Sequence, residues 1–459
     1  MAQRASSPVT LLQSFRHAST GTTLEKTPSV SSSIPKPPVA QKKPSAPAHS
    51  VLSTKTLLRS LLVTTISSHR ALLVPCLSIL SFLAKPRGFL LDVDRNPLIH
   101  WTLKKSFYDH FCAGEKETQV RDTIHQIRST GLRGVILTYA RETVQDSGAN
   151  QPKFGHNQVS RDDASIQTCE YIDAWREGVL KTVDMLGDGD FLAPKLTGAG
   201  PKVTQAFSSG QPVPTQMVNA LDEICQRVVQ KNARILMDAE QHAFLGGIHN
   251  LTLDLMRKYN RNGKAVVYNT YQAYLKSTPA TIASHLQLAQ EEGFAFGLKL
   301  VRGACMASDP RHLIHDTKHD TDSAYDAIVR GVLQRRFRGV AEDRFPSTGL
   351  FLATHNIDSA VAAHNLHQER LQAGLPTVQL EFGQLMGMAD GVSFGLLQLK
   401  DRENAAPGVY KCLTWGGMGE CLGYLVRRAA ENRDAVSRTK TEHLALKAEV
   451  SRRVRAVFR

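Results

Sequence analysis

The 459-residue sequence has few cysteines, and none of them stands in a metal-binding or redox spacing. Its seven cysteines are scattered and odd in number, and no CxxC pair occurs. This counts against a disulfide scaffold and against a cysteine zinc site. The sequence also lacks a GxGxxG turn, which an open sheet that binds a dinucleotide would normally carry. With 42% hydrophobic and 21% charged residues, the chain is otherwise typical of a globular protein with a sizeable core.

Acidic residues are nearly absent from the first 90 positions. This stretch holds eleven lysines and arginines but a single acid, Glu25, so it carries +10 of the formal net charge of +14. Such a stretch is typical of an amphipathic mitochondrial presequence, here followed by a linker rich in Pro, Ser and Lys; together they form residues 1–50. A disordered basic tail without a targeting role is the alternative. Because the rest of the chain carries only +4, no basic face for nucleic acid is expected.

No uninterrupted apolar run of membrane-spanning length occurs. The most apolar stretch, residues 56–84, is broken by two arginines, a histidine and a proline, whereas a spanning helix needs about 20 apolar residues. We predict one or two helices there that pack on the core domain or lie on a membrane surface, with a transmembrane helix as the alternative. Residues 51–130 are accordingly predicted to form an N-terminal helical extension.

From residue 130 onward, short β-rich runs alternate with amphipathic segments. The runs are almost continuously apolar, as expected for strands that are buried on both faces of a parallel sheet. Eight such strands with helical crossovers predict an α/β fold, a (βα)8 TIM-like barrel over residues 131–459. An open doubly wound sheet is the alternative. The eight runs are 134–140, 191–197, 233–239, 264–270, 296–303, 349–355, 378–384 and 408–414.

Polar residues stand at or just beyond the ends of these runs, where a barrel enzyme places its catalytic groups. A row of polar groups at the ends of apolar strands would be costly unless the groups lined a site. The pattern therefore predicts a site at the C-terminal end of the barrel. The residues are Glu142, Lys195, Asp238, Gln272, Arg302, His355, Asn356 and Gln384.

The segment YLVRRAAEN, residues 424–432, is the strongest local signal. In a helix, Glu431 lies one turn beyond Arg427 and can hold it by an i,i+4 charge contact. Arg427 and Arg428 bring two guanidinium groups together, which suits the binding of a small carboxylate. A solvated basic helix face is the alternative interpretation of this pattern.

This segment resembles the carboxylate-binding helix of the flavin-dependent proline dehydrogenases. The resemblance continues in the family's order through DAEQ, LTLDLMRKYN, GKAVVYNTYQAYLK, KLVRGACM, ATHN and FGQLMGMAD, and it covers about residues 130–435. It implies a distorted (βα)8 barrel with FAD at the C-terminal ends of the strands. It further implies that L-proline is oxidised to Δ1-pyrroline-5-carboxylate by hydride transfer to FAD, and that the electrons pass to a membrane quinone. The resemblance places this reaction in the mitochondrion, on the matrix side of the inner membrane.

The resemblance also implies roles for individual residues. Arg427, Arg428 and Lys195 would bind the substrate carboxylate. Glu431 would steady Arg427, and Asp238 would order the network of the active site. Further substrate contacts would come from Leu385, Ala304, Cys305, Cys412 and Tyr424. The flavin would be contacted by Gln272, Lys299, Arg302, Gly303, Thr354, His355, Asn356 and Gln384. No metal ion is required.

The sequence departs from the family pattern in the substrate pocket. Cys305 and Cys412 stand where the family usually has tyrosines against the substrate ring, so the pocket is expected to be wider and to lack two hydroxyl groups. A smaller residue at the second position resembles the hydroxyproline dehydrogenase branch. Hydroxyproline or another cyclic amino acid is therefore an alternative substrate, and a non-catalytic flavin-binding paralogue is a further alternative.

Overall fold

The computed structural model describes residues 47–84, 88–140, 168–306, 308–401, 403–431 and 436–457. For Phe89, residues 427–431, residues 436–439 and Val457, only the backbone is described. The predicted presequence up to residue 46 and the polar residue Glu142 therefore lie outside the described residues.

Eight parallel strands form a closed barrel in which each strand pairs with the next along the chain and the last pairs with the first. All eight predicted strands are present, so the predicted (βα)8 barrel is confirmed and the alternative of an open sheet is wrong. The strands are β1 Gly134–Tyr139, β2 Phe191–Leu192, β3 Arg234–Met237, β4 Val267–Gln272, β5 Phe296–Val301, β6 Thr348–Ala353, β7 Gln379–Leu385 and β8 Gly408–Trp415.

The strands are apolar on both sides because each side packs against a different core. On β1, Leu137 points outward into the layer between sheet and helices, whereas Ile136 points into the barrel. Aromatic rings fill the barrel interior: the centroid of Phe191 lies 5.0 Å from that of Phe351 and 5.1 Å from that of Tyr410, in edge-to-face arrangements. Burial on both faces accounts for the near-continuous apolar runs in the sequence.

The structure differs from the prediction in the length of β2. The strand comprises only Phe191–Leu192, whereas the sequence predicts seven residues. Pro194 has no amide hydrogen to donate to a neighbouring strand, and a 3₁₀ helix follows at Leu196–Ala199. Lys195 therefore lies in a loop beyond the end of β2, not within the strand.

Helices connect the strands and cover the barrel. One of them ends at Gln372, and Gly374 just beyond it adopts a left-handed φ of 66°, a conformation that glycine favours after a helix end. The helices are α1 Thr54–Ser68, α2 Arg70–Leu83, α3 Pro97–Leu103, α4 Asp109–Phe111, α5 Glu117–Ser129, α6 Glu170–Met185, α7 Pro201–Ser209, α8 Thr215–Gln230, α9 His242–Tyr259, α10 Thr278–Glu292, α11 Lys318–Leu333, α12 Ile357–Gln372, α13 Asp390–Leu396, α14 Met418–Glu431 and α15 Val436–Val457.

The first two helices of the predicted extension pack on the C-terminal part of the chain. α1 lies along α15, where Arg453 donates a hydrogen bond to the carbonyl of Leu52 at 2.7 Å, and α2 contacts α14. Among the helices that the structure describes, none alone is long and apolar enough to cross a membrane. α1 and α2 meet that criterion only together, and they are bent by 101° relative to each other.

Candidate active site

Asp238 lies between two lysines at the C-terminal end of the barrel. Lys195 Nζ is 2.9 Å from Asp238 Oδ2, and the Lys299 ammonium donates to Oδ1 of the same carboxylate. The three residues come from the loop after β2, the position directly after β3, and β5. Their side chains are only 10 to 17% exposed. Residues that are far apart in sequence therefore form one poorly solvated ionic cluster.

The two ammonium groups determine the charge state of Asp238. Burial by itself would raise the pKa of this carboxyl, but Lys195 and Lys299 lower it to well below its usual range. Asp238 is therefore ionised at neutral pH. Two ammonium groups therefore converge on one carboxylate at the strand ends. Positive groups at this place suit a ligand with a negative group.

Side chains alternate in direction along β5, and Lys299 points into the interior of the barrel. Leu298 and Leu300 on either side of it point outward into the layer of helices, so Lys299 points inward. Gly297 is the preceding inward position, and a Cβ there would overlap Tyr268. A buried ammonium group is costly unless it is paired, and Asp238 supplies the pairing carboxylate.

Gln272, at the end of β4, connects two loops of the site. Its Oε1 accepts a hydrogen bond from the backbone amide of Ala304 at 3.0 Å, and its Nε2 donates to the carbonyl of Glu240 at 3.2 Å. The residue is fully buried. The sequence predicts a flavin contact for Gln272, and the structure places its amide between the loops that follow β3 and β5.

Arg302 and Asn356 are held by partners at the ends of β5 and β6. Arg302 donates from Nε to Asp322 Oδ1 at 2.6 Å, from one terminal nitrogen to Thr354 Oγ1 at 2.8 Å, and from the other to Ser359 Oγ at 2.9 Å. The Asn356 side chain caps α12 by accepting hydrogen bonds from two backbone amides of its first turn. The structure thus brings Arg302, Thr354 and Asn356 together at one part of the barrel rim.

His355 and Leu385 meet at the neighbouring strand ends, but Gln384 faces the other way. His355 Nε2 accepts a hydrogen bond from the backbone amide of Leu385 at 3.2 Å. Gln384 donates to the carbonyl of Thr354 at 3.2 Å and accepts from Ser393 Oγ at 2.8 Å. Its side chain therefore lies between β7 and α13, on the outer side of the sheet. The structure does not bring Gln384 together with the cluster inside the barrel.

Cys412, a predicted substrate contact, lies on β8 with its side chain inside the barrel. It packs at the edge of the interior aromatic core, and its strand neighbour in register is Leu385. Cys305 lies in the loop after β5, and both thiol-bearing residues are partly exposed. Two small side chains therefore occupy the positions for which the sequence analysis notes the loss of tyrosines.

Helix α14 carries the predicted carboxylate-binding residues near its C-terminal end. These are Arg427, Arg428 and Glu431, whose side chains lie outside the described part of the chain. Tyr424, one turn earlier, is buried in a cluster that includes Tyr108 of the N-terminal extension. The Tyr108 hydroxyl donates to the carbonyl of Gly416 at 2.7 Å, just before α14 begins. The extension therefore helps to hold the N-terminal end of this helix.

Residues 120–441 match the family model of proline dehydrogenase. The matched part of the chain contains all eight strands and the predicted site residues. The chain belongs to the proline dehydrogenase family. Membership makes it an oxidoreductase, and it agrees with the sequence motifs from which the resemblance was inferred.

Several curated relatives of this family member are similar over most of their length. The probable mitochondrial proline dehydrogenase of Schizosaccharomyces pombe is 30% identical over 411 residues, which are 80% of this chain and 82% of the relative. The mitochondrial proline dehydrogenase 1 of Arabidopsis thaliana is 26% identical over 479 residues, with 92% and 90% coverage. The hydroxyproline dehydrogenase of Bos taurus is 29% identical over 393 residues, with 77% and 82% coverage.

A solved structure supports the fold. Proline utilization A from Bdellovibrio bacteriovorus, inactivated by N-propargylglycine, superimposes with a TM-score of 0.59 at 16% identity. The match covers 82% of this chain but only 38% of the bacterial chain. At this identity the similarity concerns the barrel fold alone.

Glu240 is a residue of this proline dehydrogenase site that the sequence analysis misses. Its carboxylate accepts hydrogen bonds from the amide and the hydroxyl of Thr197, at 3.1 and 2.5 Å. Glu240 thereby ties the loop that carries Lys195 to the loop that carries Asp238. The sequence does contain a signal for Glu240, because this residue belongs to the DAEQ block that resembles the family. Without that block, an acidic residue in a loop indicates only a surface position.

Proposed function

We propose that this family member oxidises L-proline to Δ1-pyrroline-5-carboxylate, with FAD as the hydride acceptor and a quinone of the mitochondrial inner membrane as the final acceptor. The observation that carries this proposal is the cluster of Lys195, Asp238 and Lys299 at the C-terminal end of the family's barrel. Amino-acid oxidation requires a cationic site for the carboxylate and a further positive charge where negative charge develops on the acceptor. The cluster supplies one ammonium group for each of these two purposes.

We assign the substrate carboxylate to Lys195 together with Arg427 and Arg428. Asp238 holds the Lys195 ammonium at 2.9 Å and thus orients it. Glu431 lies one helical turn after Arg427 and would steady its guanidinium group. A cationic pocket lowers the pKa of the substrate amine, so the amine loses its proton more readily before the hydride leaves its α-carbon.

The residues at the strand ends fit a flavin. Thr138 lies on the inner side of β1, and its buried Oγ1 has no hydrogen-bond partner among the described residues, which leaves one polar atom for a bound group. Bound FAD would supply the hydride acceptor. Lys299 would stabilise the negative charge that results, with its ammonium group held in place by Asp238. The other flavin contacts implied by the resemblance, with Gly303 and His355 among them, remain proposals.

Anaerobic bleaching of the purified protein tests this function. We expect a yellow protein whose flavin absorbance is lost on addition of L-proline. Bound flavin that is bleached by neither L-proline nor trans-4-hydroxy-L-proline would favour the non-catalytic paralogue, and protein that binds no flavin would contradict the cofactor proposal.

Hydroxyproline is the second candidate substrate. The supporting observations are the small side chain of Cys412 inside the barrel beside Leu385 and the similarity to bovine hydroxyproline dehydrogenase. A thiol in place of a phenol leaves space at the substrate ring, which a hydroxyl group on that ring can use.

The variant Cys412→Tyr separates the two substrates. If the space beside Cys412 accepts a ring hydroxyl, the added phenol should lower kcat/KM for trans-4-hydroxy-L-proline at least about tenfold relative to L-proline. The measurement is dye reduction with each substrate in turn. The matched control is Cys76→Tyr on α2, which should leave the ratio unchanged, and an equal loss for both substrates in Cys412→Tyr would contradict the assignment.

We propose that α2 attaches the protein to the inner membrane. The only charged residue of this helix is Arg70 at its first position. Leu72, Ile79 and Phe82 lie on one side of the helix and are 46 to 59% exposed, and Trp101 on α3 is 61% exposed. A continuous exposed apolar helix face is costly in water and typical of a helix at a lipid interface, where tryptophan is also favoured.

A vesicle-binding assay tests this face. The double variant Leu72→Glu/Ile79→Glu should bind at least about tenfold more weakly to vesicles of phosphatidylcholine and cardiolipin, because two charges replace apolar side chains at the interface. Co-sedimentation measures the bound fraction. The control is Val218→Glu/Val229→Glu, which alters two exposed valines of α8; equal binding by both double variants would refute the role of α2.

The location and the domain organisation are part of the same proposal. Residues 1–50 would form the mitochondrial presequence and linker, residues 51–130 the helical extension, and residues 131–459 the catalytic barrel. The support is the basic, acid-poor leader and the names of the fungal and plant relatives, which are called mitochondrial. With α2 on the inner membrane, the barrel would lie on the matrix side, where a membrane quinone can be reached.

A further inference from the structure

The loop that follows β5 carries Cys305, one of the proposed substrate contacts. We call residues 303–309 the β5 loop; Ala307 within it lies outside the described residues. The backbone amides of Ser308 and Asp309 donate to the carbonyl of Cys305 at 3.0 and 2.9 Å. The β5 loop is therefore a closed turn, and the position of Cys305 depends on what holds the two ends of this turn.

Tyr274, two residues after the end of β4, contacts both ends of the β5 loop. At one end, Gly303 has a φ of 148° and lies against the tyrosine ring, where a Cβ would overlap it. At the other end, the Tyr274 hydroxyl donates to Asp309 Oδ2 at 2.5 Å. Burial raises the pKa of Tyr274 far above its usual range, so the hydroxyl stays a proton donor.

Asp309 links the β5 loop to the loop that carries Asp238. Its Oδ1 accepts a hydrogen bond from the backbone amide of His242 at 2.8 Å, and the carboxylate is buried. His242 is the first residue of α9, so its amide has no partner within the helix and favours a negative group. Tyr274 and Asp309 thus join the ends of β4 and β5 to the start of α9.

We propose that Tyr274 and Asp309 are positioning residues that set the distance between Cys305 and the substrate ring. The inference rests on the proposed function for the identity of the substrate. The ion pairs of Asp238 with Lys195 and Lys299 are separate from this hydroxyl, so we assign Tyr274 to substrate binding and not to hydride transfer. Loss of the hydroxyl releases the β5 loop and weakens binding of the substrate.

The variant Tyr274→Phe removes only the hydroxyl. We expect KM for L-proline to rise about tenfold while kcat stays within about twofold. The variant weakens substrate binding but leaves the reacting groups unchanged. The second readout needs no activity: alkylation of Cys305 by iodoacetamide, followed by peptide mass spectrometry, should become several-fold faster. Asp309→Asn should change both measurements in the same direction, because its single amide oxygen cannot accept from both Tyr274 and the His242 amide, as the two carboxylate oxygens do.

Tyr259→Phe is the matched control. Tyr259 also donates to a carboxylate at 2.5 Å, that of Asp222, but between α9 and α8 on the outside of the barrel. This variant loses a bond of the same kind and should leave KM and the alkylation of Cys305 unchanged. A general loss of stability would appear in both tyrosine variants, whereas the positioning effect appears in Tyr274→Phe alone.

Two results would overturn the inference. Unchanged KM and unchanged alkylation of Cys305 in Tyr274→Phe would show that the hydroxyl does not hold the β5 loop. A fall in kcat with KM unchanged would assign Tyr274 to the chemical step instead. Wild-type protein that is bleached by neither substrate would overturn the proposed function, and the alkylation rates would still decide whether Tyr274 positions Cys305.

Discussion

Replacing Asp238 by asparagine is expected to lower kcat/KM for L-proline about 100- to 1,000-fold. The substitution keeps the shape of the side chain but leaves two ammonium groups, those of Lys195 and Lys299, facing each other in a poorly solvated place without a carboxylate between them. Repulsion would move both side chains from the positions in which they bind the substrate carboxylate and stabilise the hydride acceptor. Steady-state dye reduction and the rate of anaerobic flavin bleaching measure the loss.

The matched control for Asp238→Asn is Asp316→Asn. Asp316 also pairs with a lysine, Lys276, at 3.3 Å, but its side chain is 80% exposed, so the charge is screened by solvent. This variant should keep the wild-type kcat/KM. Full activity of Asp238→Asn would contradict the role assigned to the cluster, whereas loss of bound flavin without change in folding would place the effect on the cofactor.

Replacing Arg234 by methionine is expected to destabilise the protein by about 3–5 kcal/mol, without involving the site. Arg234 makes two hydrogen bonds to Glu381 inside the barrel, at 2.5 and 2.8 Å, and Tyr410 donates to the same carboxylate at 2.9 Å. Both charged side chains are about 10% exposed. Loss of the guanidinium group would leave a buried carboxylate without its countercharge. The free energy of unfolding, measured by urea titration, tests this.

A surface ion pair between an arginine and a carboxylate supplies the control for Arg234→Met. Arg227 donates to Asp184 Oδ1 at 2.8 and 3.1 Å, and the two side chains are 52 and 44% exposed. Arg227→Met should change the free energy of unfolding by at most about 1 kcal/mol. The double variant Arg234→Met/Glu381→Met should recover most of the stability lost in Arg234→Met, because no unpaired charge remains. Equal losses for Arg234→Met and Arg227→Met would refute the argument.

The alternation of strands and helices could be predicted from the sequence because it depends on local composition. Each of the eight runs overlaps with a strand, since apolar residues on both faces of a short segment fit a parallel sheet that is covered on both sides. The motif order identified the family, and the family match confirms it. Positions directly after a strand, such as Asp238, were predicted as site residues because the C-terminal ends of parallel strands meet at one end of a barrel.

The side of the sheet on which a polar residue lies could not be predicted in the same way. Gln384 and Leu385 are neighbours at the end of β7, yet only Leu385 points inward, because the inward positions of β7 start from Glu381 and alternate. Polar Gln379 and Glu381 alternate with apolar Leu380 and Phe382 on β7. Which side faces inward is decided by the pairing of Glu381 with Arg234 of β3, which lies 147 residues away in sequence. The flavin contact of Gln384 rests on the resemblance to the family and stays a prediction.

The sequence by itself determined the fold and the family, and it predicts the end of the barrel at which the site lies. Only the tertiary structure decided which residues act together: Asp238 pairs with lysines from β5 and the loop after β2, Gln272 bridges two loops, and Tyr274 holds the β5 loop. The physical reason is the separation along the chain over which each kind of interaction acts. Secondary structure and motifs arise from neighbours along the chain, whereas hydrogen bonds and ion pairs between loops depend on register and side-chain direction, which are set when the barrel closes.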